Sequence, residues 1–66
     1  MIMKTKRVII TIQTDVQLKR IKSTPTFARL TRLDLKVGAN IETVNHKQFA
    51  DMMRLYPLIG IDVREV

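Results

Sequence analysis

The residues that could do chemistry are few. The chain holds one histidine, His46, one serine, Ser23, no cysteine and six acidic residues spread along its length. Nucleophilic catalysis needs a hydroxyl or thiol beside a base that a third group orients. Ser23 stands just before Thr24-Pro25, a chain-breaking pair, where serine serves as a turn or cap former. His46 stands where a helix should begin, the place of a solvent-exposed helix-start residue with no obvious partner. Asp51 lies five residues beyond His46, off the i, i+4 face, and there is no second histidine to build a metal pair. Glycoside-type chemistry needs two carboxylates opposed across a cleft, which six dispersed acids in a shallow domain do not offer. Gly38 and Gly60 stand alone, so no glycine-rich loop cradles a phosphate. The expectation is a protein that is not an enzyme and uses no cofactor and no metal.

Charge is the more informative chemistry. Twelve Lys and Arg oppose six Asp and Glu, for a net charge of +6. Residues 1–36 hold nine basic groups against two acidic ones, a net of +7, while residues 37–66 are at −1. Such asymmetry creates a directed field that attracts phosphate backbones, anionic lipid or acidic protein surfaces. Lys19, Arg20, Lys22, Arg29 and Arg32 bracket Pro25 and form the candidate nucleic-acid-binding set. Arg would grip a phosphate as a fork and Lys as a point charge. Only Phe27 interleaves an aromatic ring, so stacking on single-stranded bases is poorly supported. The anticipated partners are a nucleic acid or an acidic protein surface, with a homo-oligomer as a further option.

These groups must be positioned by a small scaffold. With 66 residues the chain is read as one domain, residues 1–66. A chain of this size buries only roughly 60% of its unfolded surface, so a deep water-excluding pocket is not expected and docking on a partner is favoured. Lack of cysteine leans towards a reducing compartment, here the cytoplasm, or a virion if the protein is phage encoded. The run Val8-Ile9-Ile10 after Lys4, Lys6 and Arg7 is too short for a signal-peptide core, and nothing nears the ~20 apolar residues of a membrane span.

Hydrophobic periodicity supplies the elements. Val8, Ile10 and Ile12 alternate with Arg7, Ile9 and Thr11, which predicts a half-polar strand over 6–13, suited to an antiparallel sheet or to its edge. Residues 15–31 are ambiguous. Asp15 could cap a turn carrying Leu18 and Ile21, and Thr24-Pro25 could open a helix over Phe27, Leu30 and Leu33. The favoured reading is a loop or single turn to about residue 31. Strict alternation then predicts a strand over 32–37, with Leu33, Leu35 and Val37 on one side. Gly38-Ala39-Asn40 reads as a turn, and Ile41–Val44 as the second arm of a tight hairpin. Asn45 is a good N-cap with Gln48 three residues on. Phe49, Met52, Met53 and Tyr56 then recur on one helical face, with Lys47, Asp51 and Arg54 pointing away and Pro57 as the stop. Ile59, Ile61 and Val63 alternate in a last strand over 58–65. The sum is an α+β fold, a small three- to four-stranded, mostly antiparallel sheet covered by one main helix, in the order β-loop-β-β-α-β.

Residues 27–66 also resemble a small domain of Mu-like prophages, of the FluMu N-terminal type. The likeness rests on the extended stretch Leu33–Val44, on Gln48-Phe49-Ala50 opening a helix, and on Leu55-Tyr56-Pro57-Leu58 running into Ile59–Val63. The Arg-rich segment of that family is echoed only loosely by Leu18-Lys19-Arg20-Ile21. The resemblance implies a phage- or prophage-encoded, non-catalytic domain associated with head morphogenesis, and it transfers no site residues.

Three functions are therefore carried forward. One is a binding module that meets nucleic acid or protein through its basic N-terminal half. A second is a helix-turn-helix regulator, in which Leu33–Val37, Gly38-Ala39-Asn40 and Ile41–Val44 would copy the helix–turn–recognition-helix pattern. The poor helix formers Ile41, Thr43 and Val44 weigh against it. The third is an oligomeric subunit that uses strand 6–13 as a pairing edge.

Overall fold

The computed structural model describes residues 4–30 and 34–66. Its centre is strand β1, Thr5–Ile12. Val8, Ile10 and Ile12 are wholly buried on one side, and Arg7, Ile9 and Thr11 face the other. The period-two pattern thus sets which face meets the core. β1 is hydrogen-bonded on both sides, antiparallel to β2 (Gly38–Asn45) and to β3 (Asp62–Glu65), in the order β2-β1-β3. The expectation of β1 as a pairing edge is corrected by this central position.

Residues 15–30 are not a loop. They form α1 (Asp15–Ser23) and α2 (Pro25–Leu30). Thr14, not Asp15, caps α1, its Oγ1 accepting from the Gln17 N–H at 3.2 Å. Gln17 also accepts from the Gln13 N–H at 2.8 Å and donates to the Gly60 carbonyl at 3.0 Å, tying the start of α1 to the turn before β3. The break between the helices follows from Pro25. A residue before proline is pushed out of the helical region, and Thr24 is extended at φ −101°, ψ 113°. Proline at the first helical position loses no bond. Thr24 serves both helices, donating to the Arg20 carbonyl and accepting from the Ala28 N–H. Leu18 and Ile21 of α1 and Phe27 and Leu30 of α2 are held in the core, and this burial overrides the weak local signal.

The anticipated strand over 32–37 and its hairpin are likewise corrected. Arg32 and Leu33 lie outside the described residues, and residues 34–37 are turn and coil. Leu35 is buried whereas Val37 is exposed, so the alternation does not define a face. Gly38, at φ +113°, opens β2 instead of a turn, and β2 pairs with β1 over its full length, Thr5 opposite Asn45 through Ile12 opposite Gly38. The buried Asn40 side chain folds the approach onto the strand. Its Oδ1 accepts from the Lys36 N–H at 2.9 Å, while Nδ2 donates to the carbonyls of Lys36, Gly38 and Ile10. A strand over residues 41–44 also removes the helix-turn-helix reading, which needed a recognition helix there.

Helix α3, His46–Leu55, carries the anticipated capping box: Asn45 Oδ1 accepts from the Gln48 N–H at 2.8 Å, and Gln48 Oε1 from the Asn45 N–H at 2.9 Å. Met52 and Tyr56 are wholly buried and Phe49 is half-buried. Met53 is 45% exposed, so the apolar stripe is narrower than the four-residue pattern suggested. Pro57 does end the α-helix, but through a 3-10 turn, Tyr56–Ile59, closed by Gly60 at φ +77°. β3 is accordingly shorter than the 58–65 expected.

The class is α+β, with an antiparallel three-stranded sheet. Its element order is β1-α1-α2-β2-α3-β3, so α1 and α2 join α3 as cover. Since β2 and β3 both oppose β1, they run parallel to each other, and α3 crosses over β1 to connect them. All three helices lie on the face of Val8, Ile10, Ile12, Val44 and Val63. The face of Ile9, Ile41, Thr43 and Arg64 has no cover among the described residues.

Candidate functional site

Because α2 exists, it forms a wall opposite α3. Between them lies a groove of about 390 Å³, lined by Thr26, Arg29 and Leu30 on one side and by Asn45, Lys47, Gln48, Asp51, Arg54 and Leu55 on the other. Leu30 and Leu55 supply the apolar part of its lining, and the remaining groups are polar or charged. The capping box fixes the Asn45 and Gln48 side chains, which leaves the Gln48 amide donors directed to no acceptor among the described residues. Asp51 is engaged by Arg54 at 3.1 Å. Arg29 and Lys47 have no carboxylate partner among the described residues. The groove therefore holds three cations and one compensated anion, an arrangement that attracts an anionic group bearing several acceptor oxygens.

The basic set expected from the sequence is divided by the fold. Lys19, Arg20 and Lys22 are exposed on α1 and line no part of this groove. Arg29 turns towards α3. Arg32 lies outside the described residues. Lys47 and Arg54 are exposed and point away from the apolar stripe, as the periodicity placed them, and they also line the groove against α2. Only the alternative reading of Thr24-Pro25 as a helix start could have located them, because the groove needs α2 as its second wall.

The ion pairs sharpen this division. Lys6 pairs with Glu65 at 3.2 Å and lies over the Phe49 ring at 4.8 Å, and Arg64 pairs with Asp62 at 2.9 Å. These cations are compensated. Lys19, Arg20, Lys22, Arg29 and Lys47 on the helices have no carboxylate within ion-pair distance among the described residues, and neither do Lys4, Arg7 and Lys36 outside them. His46 is exposed at the first position of α3, and Ser23 is exposed at the end of α1, its hydroxyl directed to the Arg20 carbonyl at 3.5 Å. No cluster of three His, Asp or Glu occurs among the described residues, and no described helix is long and apolar enough to cross a membrane.

The chain matches no protein-family model, no curated protein and no solved structure. The fold and the groove define it as a small basic α+β domain that carries five uncompensated cations on its helices, with Lys4, Arg7 and Lys36 unpaired elsewhere on the surface.

Proposed function

We propose that this chain is a non-catalytic binding module, phage or prophage encoded, that grips the phosphates of a nucleic acid with its helical side. It would work in the host cytoplasm or within the virion. The observation that carries this reading is the groove between α2 and α3, in which Arg29 and Lys47 lie unpaired beside the Asp51–Arg54 pair. Lys19, Arg20 and Lys22 on α1 extend the positive surface, and their exposure supports contact with a backbone running past the groove. Contact of this kind reads phosphates and not bases, so it is sequence-independent and steep in salt.

The test is titration of labelled double-stranded and single-stranded DNA over a range of salt. If Arg29, Lys47 and the three α1 cations all engage, the log–log slope on duplex is about −4 to −5; if the groove alone engages, it is about −2. The double variant Arg29→Glu, Lys47→Glu, checked for an unchanged circular dichroism spectrum, should bind at least about tenfold more weakly. Absence of binding at low salt, or undiminished binding by that variant, overturns the reading.

A further inference from the structure

The two edges of the sheet are unlike. β3 is four residues long and reads Asp-Val-Arg-Glu, with an ion pair at each end: Asp62 to Arg64, and Glu65 to Lys6. Charge and brevity of this kind blunt an edge against further pairing. β2 is eight residues long and carries one charged side chain, Glu42, and no proline. Within the strand neither device protects it; among the described residues, Asp34 and Lys36 share a surface depression with Ala39 and Ile41.

The direction of each backbone group along β2 follows from the register. The Val66 N–H donates to the Arg7 carbonyl at 2.9 Å, so Arg7, and with it Ile9 and Thr11, present their backbone groups to β3. Val8, Ile10 and Ile12 then present theirs to β2, where they meet Glu42, Asn40 and Gly38. The N–H and C=O groups of Ala39, Ile41 and Thr43 must point outward. The Asn45 N–H agrees with this parity, since it turns from β1 to the Gln48 side chain. Ala39, Ile41 and Thr43 are all exposed and uncharged, and Ile41 is 58% exposed on the uncovered sheet face.

We infer that β2 is the pairing edge for a second copy of this chain, joined antiparallel about a two-fold axis at Ile41. In that register Ile41 faces Ile41 of the partner, Ala39 faces Thr43 and Thr43 faces Ala39. Every outward N–H and C=O of the three residues then gains a complementary partner, because the row is its own complement under the two-fold. The charges agree. Glu42 comes opposite Asn40, whereas a two-fold at Glu42 would set two carboxylates against each other. On the uncovered face the row Ile9–Ile41 of one copy continues into Ile41–Ile9 of the other, so the exposed isoleucines cover one another. The product is a single six-stranded sheet, which lies apart from the helical groove.

Because the chain has no cysteine, Ile41→Cys provides a clean probe. Directly paired antiparallel residues lie about 5.5 Å apart between Cα atoms, within disulfide reach. The expected result is a covalent dimer under mild oxidation for Ile41→Cys and none for Leu58→Cys, whose side chain is exposed in the 3-10 turn. In the unmodified chain, sedimentation should move from one to two chains with rising concentration, and the Ala39, Ile41 and Thr43 amides should gain protection from hydrogen exchange as it does. Ile41→Lys, which sets like charges on the axis, should weaken association by at least about tenfold with its circular dichroism unchanged. A chain that stays monomeric into the millimolar range overturns the inference. So does a dimer that Ile41→Lys leaves intact.

Discussion

Replacing Asn40 tests how the approach to β2 is held. Its side chain is 8% exposed and makes four contacts: Oδ1 with the Lys36 N–H, and Nδ2 with the carbonyls of Lys36 at 2.7 Å, Gly38 at 3.1 Å and Ile10 at 3.2 Å. An amide nitrogen has two hydrogens for those three acceptors, so one bond is shared. About three net hydrogen bonds at about 1 kcal/mol each are lost in Asn40→Ala, and water reaches the exposed Lys36 backbone to recover part of that. The expected cost is about 2–3 kcal/mol, a large share of the roughly 3–10 kcal/mol available to a domain of this size. Thermal melts by circular dichroism should fall by roughly 8–24 °C. Asn40→Asp refines the test. It keeps an acceptor for the Lys36 N–H but aims a carboxylate at three carbonyls, so its protonated, donating form is favoured in the fold. A carboxyl whose folded pKa is raised contributes its full stability below the unfolded value of about 3.9 and loses it as pH rises through the folded pKa. Asn40→Asp should therefore lose ground to the wild type from about pH 3 to about pH 7. A cost below about 0.5 kcal/mol for Asn40→Ala, or a flat pH dependence of the difference for Asn40→Asp, would refute this account of the loop.

Two further perturbations follow from burial and backbone geometry. Met52→Ala should cost about 2–5 kcal/mol in urea unfolding, whereas Met53→Ala should stay within about 0.5 kcal/mol, since only Met52 is enclosed. Equal costs for the two would mean that α3 is rotated from the face described. Gly60→Ala should cost about 1–2 kcal/mol for a left-handed residue at φ +77°, with an added loss because the new methyl would stand 3.2 Å from Gln17 Nε2. A melt unchanged by Gly60→Ala would disprove the turn geometry.

Elements whose signals are local were legible in the sequence. The alternation of Val8, Ile10 and Ile12 identified β1 and its buried face. Asn45 and Gln48 marked the start of α3 because a capping box closes within four residues, and Pro57 marked its end. The α+β class followed from those elements together. Beyond them the chain carries competing short-range signals. Leu33, Leu35 and Val37 alternate like a strand, yet Leu35 alone of the described pair is buried, because Asn40 folds that segment back onto β2. Gly38-Ala39-Asn40 has turn composition and is strand, because pairing with Ile10–Ile12 outweighs the local preference. The same competition decided Met53, which shares a helical stripe with Met52 but lies beyond the reach of the sheet.

The function-bearing features divide in the same way. The sequence by itself determined the surplus of basic charge and its concentration before residue 37, since these depend on residue types alone. Tertiary structure decided which cations share a groove. Arg29 lines one groove with Lys47 and Arg54 only because α1 and α2 fold back before β2 begins. It also decided which strand is an edge, for β1 looks like one in isolation and becomes the centre when two distant segments pair with it. Both outcomes arise from long-range burial, which selects among local conformations of nearly equal free energy and leaves no short-range trace in the order of residues.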